Sequence, residues 1–364
     1  MSPNFQPDYA SPPGETLAET LDAMGLTQSE LARRMGRPIK TINEIIQAKA
    51  ALTADTALEL ERVLGVPAYF WMNLETQYRE LLARQRAADR LEVDAEWLKS
   101  LPIAVMQKKG WLSKTKDEKQ TMMEMLDFFG CATVKGWKEV WSGPVAAFRK
   151  SPKLQSEPEA VAVWLRKAEL EARKQACAPY DEAAFLEALG RLKKATTLPV
   201  NEWVAVIQKE CNACGVAYVL LPELPGTHVS GAASQLMNST ALIVQTGRYR
   251  DDGHFWFTFF HEARHVLQGK LKREWLVEYE GREDALETDA NLFAREFLIP
   301  SEEIRKVREN HGGKMPVSAA NELAKKLGIS GGIVAGRLQF DRIWMRVVGN
   351  NLKRRYELSE LVPG

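Results

Sequence analysis

The 364-residue sequence predicts a multidomain, mainly α chain: an all-α N-terminal domain, a helical middle and an α+β C-terminal domain. Three observations predict it. From Glu15 to about Arg90, short amphipathic patterns follow one another, punctuated by Gly25, Gly36 and Gly65, and glycine after an apolar-periodic run is a helix stop. Over about 91–199, longer runs such as AVAVWLRKAELEARKQA and EAAFLEALGRLKKA keep apolar residues at 3.6-residue spacing. From about 200 the texture changes. VAYVLL (216–221) and TALIVQT (240–246) read as strands, and helical patterns return at 255–269, 284–300 and 317–339. The expected pieces are 12–90, a spacer at 91–199, a third domain at 200–345 and a tail at 346–364, with residues 1–14 as a loose arm.

Composition narrows the classes. A chain this long exceeds one ordinary core. Lys and Arg total 49 against 48 Asp and Glu, which excludes a globally basic nucleic-acid coat and leaves only a local patch. No stretch approaches the length of a membrane span, and MSPNFQPDYASPPGE lacks the basic end and apolar centre of a signal peptide. Four cysteines are too few for a disulfide framework. A cytoplasmic protein with no membrane partner is expected.

Residues 26–65 carry the layout of a helix-turn-helix. Thr27 can cap a helix whose apolar positions are Leu31, Ala32 and Met35. Gly36 permits a tight turn, and Pro38 suits the first turn of the next helix. Ile42, Ile45 and Ile46 then face inward. Ile39, Lys40, Asn43, Glu44 and Gln47 face outward, on the helix that such a motif lays in the major groove. Gln28 and Lys49 are candidates for phosphate contacts; Lys40, Asn43, Glu44 and Gln47 are candidates for base edges. Arg37, Ile39 and Thr41 complete the expected DNA-facing set. Within 27–50 five cations face two carboxylates, whereas over 1–92 acidic residues slightly outnumber basic ones. Phosphate anchoring is thus modest per protomer, and a homodimer on two half-sites of double-stranded operator DNA is the natural remedy.

This segment resembles the XRE-type helix-turn-helix, most closely its HigA-like antitoxin branch, over about 12–84. The resemblance rests on PPGE (12–15), LTQSELA (26–32), Gly36, Thr41-Ile42, AKA with Lys49, LTADTALELERVLG (52–65) and YFWMNLETQY (69–78). It departs at Pro38, where a small polar residue is usual, and at Ala48, where glycine is usual. Both positions touch the ends of the second helix. The resemblance implies an autoregulatory transcriptional regulator, with a toxin or a partner regulator protein as a further partner.

His261-Glu262-Ala263-Arg264-His265 is an HExxH motif. On a helix, positions i and i+4 share one face, so both imidazoles can address one ion. Glu262 lies about 100° around from His261, placed to act as general base on water at the metal. Downstream, Glu287, Ala290, Asn291, Ala294 and Leu298 share a helical face, and Asp289 stands about 200° from Glu287. If Ala290 and Asn291 pack against the first helix, Glu287 reaches the ion. Glu287 is the preferred third ligand and Asp289 the alternative. Asn291, one turn on, is placed to accept the ring N–H of a ligand histidine. Two neutral histidines and a carboxylate suit Zn2+ and leave a fourth position open.

The region from about 200 to 340 resembles the ImmA/IrrE-type metallopeptidases, on RYRDDGHFWFTFFHEARHVL (248–267), ETDANLFAREFLIP (287–300) and GRLQ (336–339). The resemblance implies a zincin-like (gluzincin) fold, ligands at His261, His265 and Glu287, the base at Glu262, and Zn2+ as cofactor. It departs at Ala263-Arg264, where small or apolar residues are usual.

Other residues are weighed beside these. His254 and Tyr249 are candidates for stabilising an oxyanion, against a reading of His254 as a surface loop residue. Arg248, Arg250, Asp251 and Asp252 can pair to fix the loop before the metal helix. Cys211 and Cys214 form a lone CxxC and read as packing residues, as do Cys131 and Cys177. Residues 321–331 look like half of a second helix-turn-helix, with a packing role favoured. Three functions stand: a DNA-binding regulator whose metallopeptidase domain cleaves or senses a protein partner; an antitoxin that sequesters a toxin, its metal domain non-catalytic; and a metabolite-responsive repressor.

Overall fold

The chain divides after Val93 into two units, Met1–Val93 and Asp94–Gly364. The computed structural model describes residues 11–90, 92–149, 157–236, 239–269, 275–279, 285–311 and 315–361. The first ten residues of the arm expected at 1–14 lie outside them.

The first unit is all helix: α1 (Pro13–Ala23), α2 (Gln28–Met35), α3 (Ile39–Ile46), α4 (Ala54–Leu64) and α5 (Ala68–Arg90). Thr27 Oγ1 accepts the Glu30 N–H at 3.1 Å and starts α2. Gly36, in the left-handed conformation, ends it. Pro38 sits at the cap of α3 rather than in its first turn, where its fixed φ costs no hydrogen bond. Leu17, Leu31, Ile42, Leu60 and Trp71 are wholly buried, each worth about 1.5–3 kcal/mol against exposure. Gly14 lets α1 cross the end of α3. A Cβ there would stand 2.4 Å from the carbonyl oxygens of Ile45 and Ile46.

The second unit opens with α6 (Ala95–Ser100), α7 (Ile103–Lys108), α8 (Glu118–Phe129), α9 (Val134–Arg149) and α10 (Pro158–Ala172). Edge-on aromatic contacts join Phe129 to Trp137 and Trp141 at 5.5 and 5.3 Å. Val161, Trp164 and Leu165 bury α10 almost all round, and Trp164 Nε1 donates to the Leu221 carbonyl at 2.9 Å. Helices α11 (Glu182–Ala195) and α12 (Trp203–Asn212) lead into the sheet.

The strands are β1 (Val216–Leu220), β2 (Val229–Gln235), β3 (Ala241–Gln245) and β4 (Leu276–Tyr279), in the order β1-β3-β2-β4. β1 runs parallel to β3, while β2 is antiparallel to both β3 and β4. β1 and β3 are buried along almost their whole length, hence their unbroken apolar runs. Between β3 and β4 lies α13 (Asp252–Leu267); after β4 come α14 (Ala285–Leu298), α15 (Ser301–His311), α16 (Val317–Leu327), α17 (Gly331–Phe340) and the short α18 (Leu358–Leu361). α10 and α13 both pack on the sheet, and α14 and α17 pack on α13. Among the described residues no helix is long and apolar enough to cross a membrane.

From Asp94 on, the stretch expected as a spacer falls in the second unit, and so does the stretch expected as a tail. Phe185, Leu189 and Leu192 of α11 share one core with α12, the sheet and α13–α17, and Tyr356 and Leu361 complete it. Arg354 ties the tail down by donating to the carbonyls of Thr196 and Leu198. Periodicity marks an apolar face but not what covers it. Cys211 and Cys214 are buried free thiols in the same core; burial raises both above the usual thiol range.

Candidate metal centre and DNA-facing helix

Helix α13 is fixed at its start by Asp251, whose Oδ1 accepts the His254 N–H at 3.0 Å. Phe255, Trp256, Phe259, Phe260 and Ala263 bury one side of it. That leaves His261 and His265 one turn apart on a common face. Helix α14 approaches through the fully buried small residues Ala290 and Ala294. The close approach sets Glu287 and Asn291 against the two histidines.

The result is a tight donor cluster. His261 Nε2 lies 3.1 Å from Glu287 Oε2, His265 Nε2 lies 3.4 Å from Glu287 Oε1, and the two Nε2 atoms are 3.1 Å apart. All three ligand atoms fall within 4.8 Å of one another, and all three residues are buried. The outer ring nitrogens are also held: His261 Nδ1 by Asn291 Oδ1 at 3.2 Å and His265 Nδ1 by Gln268 Oε1 at 2.9 Å. An amide oxygen at each Nδ1 takes a ring N–H there, so that Nε2 is the atom each imidazole turns toward Glu287. Burial opposes ionisation of Glu287, but hydrogen bonds from His261 and His265 outweigh it and bring its pKa down to about 2. Two imidazole nitrogens and one ionised carboxylate, preoriented in a buried site, fit a divalent metal of the zinc type.

Glu262, also fully buried, follows His261 on α13. It packs against β2 at Gly231, where a Cβ would come within 2.6 Å of Glu262 Oε1. Asp289 is turned away: Arg264 Nε donates to its Oδ2 at 2.8 Å, and so does Gln268 Nε2 at 2.8 Å. Those bonds hold the Asp289 carboxyl below its ordinary range. Arg264 also lies over the Phe293 ring at 5.3 Å. The unusual cation of the motif thus leans on α14 and stays off the donor cluster.

Tyr249 and His254 lie apart from the cluster of His261, His265 and Glu287. His254 lies two turns earlier on α13, ~10 Å along the axis. It pairs with Asp251 Oδ2 at 2.8 Å and stacks on the Tyr249 ring at 4.6 Å. Both line a cleft of about 1200 Å3 that also reaches Phe257 and Asn291. Of the loop acids, Asp252 is fully buried and accepts from Ser330 Oγ and the Arg354 N–H, while Arg250 pairs with Glu357. Sequence reasoning missed Gln268 and Gly231. Gln268 could have been found from its i+3 spacing to His265; Gly231 carried no signal without the fold.

In the first unit, α3 presents Ile39 (46 % exposed), Lys40 and Gln47 outward, with Thr41, Asn43 and Glu44 half-buried beside them. Lys40 and Glu44 pair at 3.7 Å. Gln28 begins α2 and Lys49 follows α3, where it is exposed. Arg37 is placed differently from the expectation. Its guanidinium is taken by both carboxylate oxygens of Glu59 on α4, at 2.5 and 3.1 Å, so it braces α2 to α4. Ala48 holds a positive φ of 56°. Its N–H bonds the Ile45 carbonyl while the Lys49 N–H bonds that of Glu44, a Schellman stop with alanine where glycine is preferred.

Comparison with known proteins agrees with this division. The family described as Helix-turn-helix matches residues 17–71, and the IrrE N-terminal-like domain matches residues 224–339. Virulence-associated protein I of Dichelobacter nodosus is 42% identical over 74 residues, 20% of this chain and 68% of that protein. Antitoxin HigA-1 of Vibrio cholerae serotype O1 is 30% identical over 95 residues, 26% of this chain and 86% of its own length. The solved structure of Pseudomonas aeruginosa antitoxin HigA with the higBA promoter is 30% identical and covers 24% of this chain and 95% of that one, with a TM-score of 0.22. These likenesses are confined to about a quarter of the chain. The chain therefore belongs to the XRE-type helix-turn-helix family, with HigA-like antitoxins among its relatives, and joins that domain to an IrrE/ImmA-like peptidase domain.

Proposed function

We propose that this regulator binds double-stranded operator DNA as an autoregulatory homodimer and that its second unit is a zinc metallopeptidase acting on a protein partner. The observation that carries the reading is the buried cluster of His261, His265 and Glu287, whose ligand atoms lie within 4.8 Å of one another, with Glu262 adjacent on the same helix. His261, His265 and Glu287 would hold Zn2+, and Asn291 and Gln268 would keep both imidazoles in the ligating tautomer. A bound zinc ion supplies Lewis acidity, which brings the pKa of water toward neutrality and polarises a carbonyl. Glu262 would accept the proton of the attacking water on its carboxylate and pass it to the leaving amine. Its burial against β2 removes competing solvent and fixes its direction. On the DNA side, Lys40, Asn43, Glu44 and Gln47 would read base edges, and Gln28 and Lys49 would hold phosphates.

Metal content of the purified chain beside His261→Ala tests the reading. About one zinc per chain is expected, lost in the variant. No zinc bound after zinc is added back would reject it. Glu262→Gln should keep zinc and DNA binding and abolish hydrolysis.

A second reading is favoured by the 30% identity to Antitoxin HigA-1: the chain sequesters a small toxin, and the metal domain is a platform. Co-purification of a stoichiometric small partner, with no peptide cleavage by the zinc-loaded chain, would select it.

A further inference from the structure

The cleft that runs from Tyr249 to Trp344 is separate from the donor cluster but shares a wall with it. Asn291, which holds His261, and Phe257, one turn before His261, both line it. Its charge is one-sided. Arg295 of α14, Arg342 and Arg346 after α17, and Lys353 all face it, and among the described residues none of the four forms an ion pair. Their neighbours differ: Arg337 is paired with Asp341 at 2.6 Å and Arg264 with Asp289 at 2.8 Å. The one carboxylate among the cleft's described lining residues, Asp251, is taken by His254. Arg295 Nε donates to the Asn291 carbonyl at 3.0 Å and its guanidinium lies over the Phe340 ring at 4.9 Å; burial and the neighbouring Arg337 depress its pKa against the opposing pull of Asp341 and Glu296. Between the cations the wall is apolar, with Ile333, Ile343 and Trp344.

We propose that this cleft binds an acidic peptide segment of the protein on which the second unit acts, its carboxylates on Arg295, Arg342, Arg346 and Lys353 and its apolar side chains on the wall between. The cleft is open, and its volume of about 1200 Å3 exceeds the range of about 300–1,000 Å3 usual for small-molecule pockets. The cations come from three stretches of chain that meet in the lining of one cleft. Guanidinium groups take carboxylates in two parallel hydrogen bonds, which adds direction to charge. Asn291 and Phe257 at the inner wall would lead such a segment toward His261. That delivery rests on the peptidase reading; the binding does not.

The test is equilibrium binding of a fluorescein-labelled peptide with alternating Glu and Leu to the full-length Glu262→Gln protein, so that affinity is read without turnover. The acidic peptide should bind at least about tenfold tighter than its Gln counterpart and weaken as salt rises. Arg342→Glu with Arg346→Glu, both exposed and with no side-chain bond among the described residues, should cost at least about tenfold. Lys209→Glu on the exposed side of α12 should leave affinity unchanged. Equal binding of the Gln peptide, or full affinity in the double reversal, would overturn the assignment. So would tight binding of inorganic pyrophosphate, lost in the double reversal, without acidic-peptide preference. A zinc-loaded wild type that binds the peptide selectively but cleaves no substrate would sink the peptidase reading alone.

Discussion

A Cβ on Gly231 would stand 2.6 Å from Glu262 Oε1 and 2.9 Å from its Cγ. Strand β2 therefore passes so close to α13 that only a hydrogen fits between the backbone and the carboxylate. The register shift between Val229 and Gly231 in the β2–β4 pairing falls at the same point. Gly231→Ala should push Glu262 off its position or force the strand away, at a cost of about 1–3 kcal/mol in stability. Hydrolysis by the zinc-loaded variant should fall by at least about 100-fold, because small displacements of a catalytic group are felt strongly. Zinc content should stay near that of the wild type. Wild-type turnover and unchanged unfolding would show that the contact does not constrain Glu262.

The two amides behind the histidines make a separate prediction. Asn291 and Gln268 fix the Nδ1 protons of His261 and His265. Replacing either by alanine should weaken zinc affinity about 10–100-fold, as measured by competition with a chromogenic chelator. Asp289→Ala should have a smaller effect, since Asp289 bonds Arg264 and Gln268 and lies outside the cluster of the two histidines and Glu287. A larger loss from Asp289→Ala than from Asn291→Ala would return Asp289 to the ligand set.

Glu287 gives the metal-free protein a pH dependence with a definite sign. Its carboxyl is lowered from an ordinary 4.5 to about 2, burial being overcome by bonds from His261 and His265. A depressed folded-state pKa stabilises the fold above the unfolded value. That contribution is lost as pH falls from about 4.5 through about 2. Thermal unfolding of chelator-treated protein should therefore drop across this window, and Glu287→Gln should flatten the drop. An unchanged slope in the variant would remove Glu287 as its source.

Much of this candidate site was legible because HExxH fixes a helix, a face and two candidate ligands at once. The preference for Glu287 over Asp289 rested on helical angle, with Ala290 and Asn291 taken to pack on the first helix; Glu287 lies within the cluster with His261 and His265, and Asp289 pairs with Arg264. Strand β2 was not legible. VSGAASQ has neither an apolar run nor a clean alternation, because its small residues answer to the proximity of α13 rather than to strand propensity. In the tail, Arg354 donates to the carbonyls of Thr196 and Leu198, and Tyr356 packs edge-on against Trp203 at 5.7 Å. Long-range partners of that kind leave no mark in local spacing.

Ala48 is a strained stop. Its φ of 56° puts a Cβ in the left-handed region that glycine occupies freely. Ala48→Gly should raise the unfolding free energy of the first unit by about 0.5–1 kcal/mol. Because the position follows α3 without belonging to its outward face, operator affinity should hold or rise slightly. A loss of stability on this substitution would mean that the Ala48 methyl makes a packing contact worth more than the strain.

The outward residues of α3 separate reading from anchoring. Lys40→Ala and Asn43→Ala should each weaken specific operator binding by about 1–3 kcal/mol and leave binding to random DNA nearly unchanged, if they meet base edges. Lys49→Ala should weaken both alike and reduce the salt dependence by about one counter-ion per protomer. Arg37→Ala should behave differently from all three. Its guanidinium is committed to Glu59, so its removal should lower the stability of the first unit while base preference is kept. Competition binding against operator and random duplexes at two salt concentrations distinguishes these outcomes. If Arg37→Ala changed base preference with stability intact, Arg37 would have to leave Glu59 on the DNA, and the brace between α2 and α4 would be a feature of the free protein alone.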